Sequence, residues 1–485
     1  MTGSVEGSMT AGKGYRLGSA ARWQTRLVGI AGGVLWFALG LLLARVIMDR
    51  LVEALHLGRG AASPGLPLVV LLYSLIGGVT AAFYASRVFS KLVLARVYKA
   101  HPGGRLHPGI PARVSVEIPV FNGEQVIGRV LRALLHQDYP RELMEVIIVD
   151  DGSTDGTWSI VSSYARRYPF IRAVRHEVNL GKAEALTTGI RRATGDVIIV
   201  LDADTVPERD AVRRLVSRLL YEDGLGAVCG RLIPAGHGGL LYWMQRIEYF
   251  LGFELGRFME DAVSRATLIL SGAFSAFRSI VLKPLAERGI PEDTLAEDFD
   301  LTVMVWKRGL RTGYEHSAVA YTITPSSLRG LYRQRIRWYA GGLQVLLKHA
   351  NLLGLRRAGH ASYLYGRLLA VYLLGVEYLL PLLHVAGYIT LAAIVAVYGL
   401  LGLEVLALPL PVFLAAYLAA LASTVIMGSL SIIVAYGAEY GAGSAVRIAP
   451  YAFIYTLLYI PLLAVAKTDA MIRALLRERI TWGAA

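Results

Sequence analysis

The sequence is short of cysteine, of acidic residues relative to basic ones, and of charge within its long apolar runs. Cys229 is the only cysteine among 485 residues, so no intrachain disulfide can form and the redox compartment stays open. No Gly-x-x-x-x-Gly-Lys-Ser/Thr loop occurs. That absence, with few ionisable residues inside the apolar runs, counts against a transporter or receptor carrying a nucleotide-binding regulatory domain. There is no internal repeat, and the first apolar run is long and lacks an evident cleavage site, unlike a signal peptide. Basic residues gather beside apolar runs rather than in one patch of the soluble stretch, which argues against nucleic acid as a partner.

Apolar residues are abundant: 55% of the chain is hydrophobic and the net charge is +14, with a mean hydropathy of +0.48. This composition suits a chain that is part membrane and part soluble. Residues 1–25 are polar and glycine-rich and read as a cytosolic tail. Residues 26–86 hold two stretches, 26–48 and 66–86, long enough for membrane helices, given about 20 residues per crossing. Lys13, Arg16, Arg22 and Arg26 precede the first, and Arg87, Lys91, Arg96 and Lys99 follow the second. Positive charge on both flanks places residues 112–345 in the cytoplasm. Residues 364–467 are apolar again and hold three or four spans. Segment count favours three, whereas Arg473, Arg477 and Arg479 favour a cytoplasmic end and an even number. The tail 468–485 is cytosolic or extracytosolic accordingly.

The soluble segment alternates strands and helices. Val114–Val120 and Glu145–Val149 read as strands, and Val126, Ile127, Val130, Leu131, Leu134 and Leu135 mark one face of a helix between them. Arg172–Arg175 is a short strand candidate, and a helix runs from Asn179-Leu180-Gly181-Lys182 to about Ala193. The alternation predicts parallel βαβ units and a nucleotide-binding type of sheet.

The stretch that organises the rest is Val197–Asp204. Five apolar residues end at Asp202-Ala203-Asp204. Side chains alternate along a strand, so both carboxylates face one side where ligands bind in open α/β sheets. Such a pair can hold a divalent cation, and through it a diphosphate. Three other clusters share the segment. Asp150-Asp151 closes a strand and can accept from a nucleobase or ribose. Glu297-Asp298 also suits a helix N-terminus, where acids are favoured. Gln334, Arg337 and Trp338 stand at i, i+3 and i+4, on one helical face, and join an amide, a guanidinium suited to phosphate and an indole suited to a sugar. A basic helix lying on the membrane would carry the same residues.

Val116–Asn122, Val149–Thr157, Asn179–Lys182, Asp202–Asp204, Glu297-Asp298 and Gln334–Trp338, in this order, resemble the membrane-bound family-2 glycosyltransferases, in the branch of the cellulose, chitin and hyaluronan synthases. The resemblance covers about 114–345. It implies an α/β cytosolic domain of GT-A type, with a nucleotide-binding mixed sheet, joined to an α-helical transmembrane region. It implies inverting transfer from a nucleotide diphosphate sugar, a UDP-sugar foremost. Pro119, Phe121, Val149 and Asp151 would surround base and ribose, Asp202 would touch the nucleotide and Asp204 the metal, Mg²⁺ or Mn²⁺. Asp298 matches the general base, and Gln334, Arg337 and Trp338 the signature that holds diphosphate and acceptor. Ser271-Gly272 lies where the family often builds its acceptor site. Gly123 and Ala296 depart from the pattern, which commonly has Glu and Thr there.

The chemistry also stands on the residues. A sugar hydroxyl is a poor nucleophile, so a carboxylate must take its proton, and Asp298 is the candidate. A metal ion with Arg337 would stabilise the leaving diphosphate. The expectation is therefore a multi-pass enzyme of the cell (plasma) membrane with a cytoplasmic catalytic domain. It would extend a polysaccharide and pass it through the membrane helices, or, alternatively, glycosylate a lipid without processivity. Membrane lipid is the expected surrounding partner.

Overall fold

The computed structural model describes residues 112–236, 238–291, 293–350, 373–401 and 410–476, with Ala38, Leu42, Val46 and Glu478. The N-terminal tail, most of the two expected spans over 26–86 and the last residues of the C-terminal tail lie outside the described residues.

The domain is built on an eight-stranded sheet: β1 (Val114–Val120), β2 (Met144–Asp150), β3 (Ile171–Arg175), β4 (Val197–Leu201), β5 (Thr205–Pro207), β6 (Leu225–Ala235), β7 (Phe274–Arg278) and β8 (Arg311–Ile323), in the order β3-β2-β1-β4-β7-β6-β8-β5. The first four strands pair in parallel, as βαβ alternation requires. Beyond β4 the sheet is mixed: β7 runs antiparallel to both β4 and β6, β5 is antiparallel to β8, and only β6 and β8 pair in parallel. Alternation in sequence describes the first half; β7 is inserted between β4 and β6, so its direction is set by distant pairing.

Central strands are enclosed on both faces, and β1 and β4 are buried at every position. One apolar layer packs α1 (Ile127–Leu135) with inward residues of β1, β2 and β4, beside α2 (Thr157–Arg167) and α4 (Ala211–Tyr221). The other packs α3 (Lys182–Arg192) and α7 (Ser279–Glu287) on the opposite face. Between β6 and β7 the chain forms α5 (Leu240–Tyr249), a π-turn (Phe250–Glu254) and α6 (Leu255–Ser264). Helix α8 (Glu297–Lys307) precedes β8, and α9 (Leu328–Lys348) follows it. The Ser327 hydroxyl accepts from Gly330 N–H (3.1 Å) and caps α9.

Three C-terminal helices are long and apolar enough to cross a membrane: Glu377–Val397, Tyr417–Tyr440 and Ala442–Leu475. They belong to α10 (Leu380–Leu401) with the π-turn before it (Leu373–Leu379), α11 (Leu410–Tyr440), and α12 (Ala442–Ile454), which continues through a further π-turn, Tyr455–Tyr459, into α13 (Ile460–Leu475). The last of these keeps contact with the domain along its length. Tyr451 stacks on Trp243 at 5.0 Å. Tyr459 donates to Glu248 (2.7 Å), and Tyr332 of α9 donates to Asp469 (2.9 Å). At the far end, Ala470 and Ala474 pack with Trp306 and Leu343. A second anchor joins Arg231 and Arg246 to Glu254 and to the Tyr440 hydroxyl at the end of α11.

One core position breaks the apolar rule. Glu117, inside β1, is fully buried and neither carboxylate oxygen has a hydrogen-bond partner. Gly189 of α3 makes room for it: a Cβ there would come within 2.4 Å of Glu117 Cγ. Burial holds its pKa well above the ordinary 4.5, against the pull of Lys182. A raised carboxylate pKa means that the folded state holds its proton longer, so stability falls as pH rises from about 4.5 through the raised value. Glu117→Gln should remove that slope: urea midpoints of wild type and variant, followed across pH, should converge below 4.5 and separate above it in favour of the variant. Parallel profiles would show that Glu117 does not titrate in this way.

Candidate active site

Strand ends place the acidic residues. At the end of β1, Asn122 takes a positive φ of 50°, which asparagine tolerates. Its amide N–H donates to Ser153 Oγ (2.9 Å) and its side-chain oxygen accepts from Thr154 N–H (2.9 Å), joining the β1 and β2 loops. The departure at Gly123 has a steric reason: a Cβ would stand 2.6 Å from Val120 Cγ2. Glu124 accepts from Gly156 N–H (2.9 Å), so its carboxylate braces the second loop.

Asp151, at the end of β2, accepts from Leu180 N–H (2.9 Å) and Gly181 N–H (2.8 Å) and lies 2.7 Å from His176 Nδ1. It therefore fixes the loop that starts α3. Gly181 caps that helix with φ 96°, a conformation open to glycine. The next residue, Lys182, extends its ammonium to Asp202 Oδ1 (2.8 Å) and Glu297 Oε1 (2.9 Å). One side chain thus joins the β4 end to the start of α8. Burial opposes the ammonium, but Asp202 and Glu297 outweigh it and hold Lys182 well above the ordinary lysine value.

Asp204 sits beside Thr205 and Thr322, whose hydroxyls donate at 3.2 and 3.4 Å. Burial, then the charge of Asp202, pushes its carboxyl up to about 6. Asp298 occupies the first turn of α8. Its Oδ2 accepts from Gly272 N–H (2.9 Å) and its Oδ1 from Phe299 N–H (2.8 Å). Burial, then Glu297, raises it to about 6, while Lys182 and the two N–H groups pull the other way. Its surroundings are low in water although its edge opens to the cavity.

Gln334, Arg337 and Trp338 project from α9 into the same cavity. Between them Arg335 is fully buried; it donates to both oxygens of Glu248 (2.9 and 2.6 Å) and to Gln334, and its guanidinium lies 4.2 Å from the Trp338 ring centre. Phe253 meets Trp338 edge-on at 5.8 Å. Burial lowers the Arg337 pKa, and Glu297 and Asp202 oppose the shift.

One cavity of about 1250 Å³ gathers nearly all the candidates: Pro119, Phe121, Asp151, Asp202, Asp204, Asp298, Gln334, Arg337 and Trp338 line it. Val149 is the exception; it is fully buried in β2 among sheet-core residues. The cavity continues past Trp338 to Tyr378, Tyr388 and Thr424 of the apolar helices. Lys182, Glu297 and Arg335 gain their importance from partners distant in sequence. The Asn179–Lys182 motif located the lysine, but nothing in the motif names what it binds.

The mixed sheet with carboxylates at the ends of β2 and β4 defines a domain of GT-A type, joined to helices able to span a membrane. Residues 115–285 match the family Glycosyl transferase family 2. It is similar to "Probable glycosyltransferase YdaM" of Bacillus subtilis (strain 168), 33% identical over 49% of this chain and 56% of that protein. It is also similar to the poly-beta-1,6-N-acetyl-D-glucosamine synthase of Staphylococcus epidermidis, 29% identical over 58% of this chain and 65% of that protein. The match thus spans less than two thirds of these relatives' length. The mannosyltransferase PcManGT from Pyrobaculum calidifontis, solved with GDP-Man and Mn²⁺, shares the fold, with a TM-score of 0.54, 24% identity and coverage of 85% of this chain and 100% of that chain.

Lys182→Met should expose how much the site depends on the ammonium that joins Asp202 and Glu297. Asp202 and Lys182 keep 30% and 21% side-chain exposure, so the loss should be about 1–3 kcal/mol, below the ~3–5 of a fully buried pair. The raised lysine pKa makes this contribution complete below about 10.5 and lost above the raised value. Denaturant titration at neutral pH checks it; equal stability of variant and wild type would refute the bridge.

Proposed function

We propose that the protein is an inverting membrane glycosyltransferase that moves a sugar from a nucleotide diphosphate sugar to a growing polysaccharide at the cytoplasmic face of the cell membrane. The observation that carries this reading is the shared cavity, where Asp298, Asp202, Asp204 and Arg337 meet residues of the membrane helices. Pro119, Phe121 and Asp151 border base and ribose, with Val149 supporting Asp151 from within β2. Asp202 contacts the nucleotide, and Gln334, Arg337 and Trp338 hold diphosphate and acceptor. The similarity to a poly-beta-1,6-N-acetyl-D-glucosamine synthase supports a polymer product, with a UDP-sugar as the first donor to try.

The residues fit a divalent cation. Asp204 is a half-buried carboxylate whose charge desolvation and Asp202 oppose, which a cation would relieve. Among the described residues no group of three His, Cys, Asp or Glu suits a metal ion. Asp204 and Asp202 would therefore share Mg²⁺ or Mn²⁺ with the diphosphate and water, as Mg²⁺ sites commonly do. The ion would supply charge to the departing diphosphate. Arg337 adds a fixed cation there. Asp298 takes the proton of the attacking hydroxyl, and Gly272 N–H fixes the direction of its carboxylate. Attack from the Asp298 side, opposite the diphosphate, inverts the anomeric carbon.

Two features support an even number of crossings in the C-terminal part. Helix α10 starts at the domain, where Tyr378 donates to Tyr339 O (2.8 Å), and α11 ends at the domain through Tyr440. The helix 442–475 stays on the domain from Tyr451 to Ala474 while Phe453, Leu457, Leu458, Val465 and Ile472 are exposed. We therefore read α10 and α11 as a membrane hairpin and 442–475 as a helix in the plane of the interface. The native Cys229 is buried, so a cysteine introduced at Arg473 would be labelled alone. An impermeant maleimide should reach it from the face that bears the domain; labelling from the opposite face only would replace this topology with three crossings.

Asp298→Asn should lower transfer from the preferred sugar nucleotide by about 10²–10⁴-fold, with nucleotide binding intact. Wild-type rate should fall as pH drops below about 6, where Asp298 gains its proton. Product size, measured with radiolabelled donors and either cation, decides between polymer and a single transferred sugar. Near-normal transfer by the folded Asn variant would remove Asp298 as the base.

A further inference from the structure

Arg257 has no role in the scheme above. It lies on α6, one turn past the π-turn, and is only 6% exposed. Its Nη1 is buried without a hydrogen-bond partner, and among the described residues no carboxylate lies within ion-pair distance. Its neighbour is aromatic: the guanidinium stands 4.5 Å from the centre of the Phe253 ring, which in turn meets Trp338. Other buried arginines in this region are paired: Arg231 and Arg246 with Glu254, Arg335 with Glu248. Arginine keeps its charge at any working pH. A buried cation with an idle N–H is costly unless something supplies the acceptor. Arg257 lines the same cavity as Ser271, Gly272 and Asp298. The lining also continues to Tyr388 and Thr424 on the membrane helices.

We propose that Arg257 is an anion subsite for the acceptor, and that the first acceptor, on which the glycan is started, is a membrane lipid whose hydroxyl-bearing head group is attached through a phosphate. This rests on the transferase reading and names its acceptor class. The planar guanidinium receives the phosphodiester oxygens in a forked contact. The lipid chains leave along the membrane helices, and a head-group hydroxyl faces Asp298. In the step, that oxygen bonds to the anomeric carbon, its proton passes to Asp298, and the bond to the nucleotide diphosphate breaks. The phosphodiester is unchanged.

The test uses the full chain in phosphatidylcholine nanodiscs containing either phosphatidylinositol, which has hydroxyls and an anionic phosphodiester, or glucosyl diacylglycerol, which has hydroxyls alone. Lipid retention is read by native mass spectrometry without donor, and transfer is read with labelled sugar nucleotides. Wild type should retain the phosphate lipid preferentially. Arg257→Met should weaken its retention about tenfold or more while nucleotide affinity is kept. Arg257→Lys, which keeps the charge over Phe253, should retain the preference in part. Equal retention of both lipids by wild type, an unchanged preference in Arg257→Met, or weakened nucleotide binding in place of lipid binding would each overturn the subsite. Competition by glycerophosphoinositol as strong as by the intact lipid would overturn the lipid as its source. Preferential retention with no transfer from any donor would overturn the transferase reading and leave the Arg257 subsite standing.

Discussion

Four carboxylates drawn to one cavity set the terms for the rest of the molecule. Asp202, Asp204, Glu297 and Asp298 come from a strand end and a helix start far apart in sequence, and Lys182 spans the two elements. Like charges held close in a poorly hydrated place resist ionising, and both Asp204 and Asp298 are raised to about 6 for this reason, after burial. The consequence divides by role. A raised carboxyl is well matched to proton transfer near neutral pH, which suits Asp298. Beside Asp202, the same crowding gives a cation a reason to bind. Lys182 keeps the arrangement foldable before any ligand arrives, and Arg337 adds a second positive group on the facing helix.

The backbone makes that arrangement stiff. Asp151 spends its acceptors on the loop that starts α3, so the lysine is aimed by three contacts to one carboxylate. Gly272 N–H and Phe299 N–H each take one oxygen of Asp298, leaving its orientation little freedom. Gly341 presses against the start of α8: a Cβ there would meet Ala296 N at 2.8 Å and Ala296 Cβ at 2.9 Å. The small residue at 296, a departure from the family pattern, is thus matched to close packing of α8 on α9.

Local pattern revealed much of this. The apolar run ending at Asp202, the strand of β1 and the shared face of Gln334, Arg337 and Trp338 are properties of a few neighbouring residues, and period alone exposes them. What pattern could not show depends on distant partners. The position of β7 between β4 and β6 is invisible to alternation, because a strand's direction is chosen by its neighbours in space. Arg335 looks like one more cation of a basic helix; only the fold brings Glu248 to it. Asp151 lines the cavity and also holds the α3 loop, a second task that its motif does not name. Hydropathy marks 448–467 as apolar enough to span but does not register that the helix 442–475 also packs on the domain. Idle atoms such as Nη1 of Arg257 leave no trace in sequence.

Arg335 links the chemistry to the membrane. Its guanidinium carries Trp338 on one face and is held at its edge by Glu248, and Glu248 also accepts from Tyr459 of the last helix. Replacing Arg335 or Glu248 by an apolar residue would leave the other's charge unpaired in a poorly hydrated place, which costs more than the contact itself contributes. The Trp338 indole, which lines the cavity, is therefore positioned by a helix outside the sheet. Lys467, one ring centre away from Tyr339 at 4.8 Å and paired with Glu377 at 2.5 Å, repeats the pattern a turn further along. A shift of helix 442–475 against the domain would move Trp338 with it. Cavity geometry and the packing of the apolar helices are in this sense one structure, and a domain cut away from its C-terminal helices would keep its sheet but lose the support on which the Trp338 side of the cavity rests.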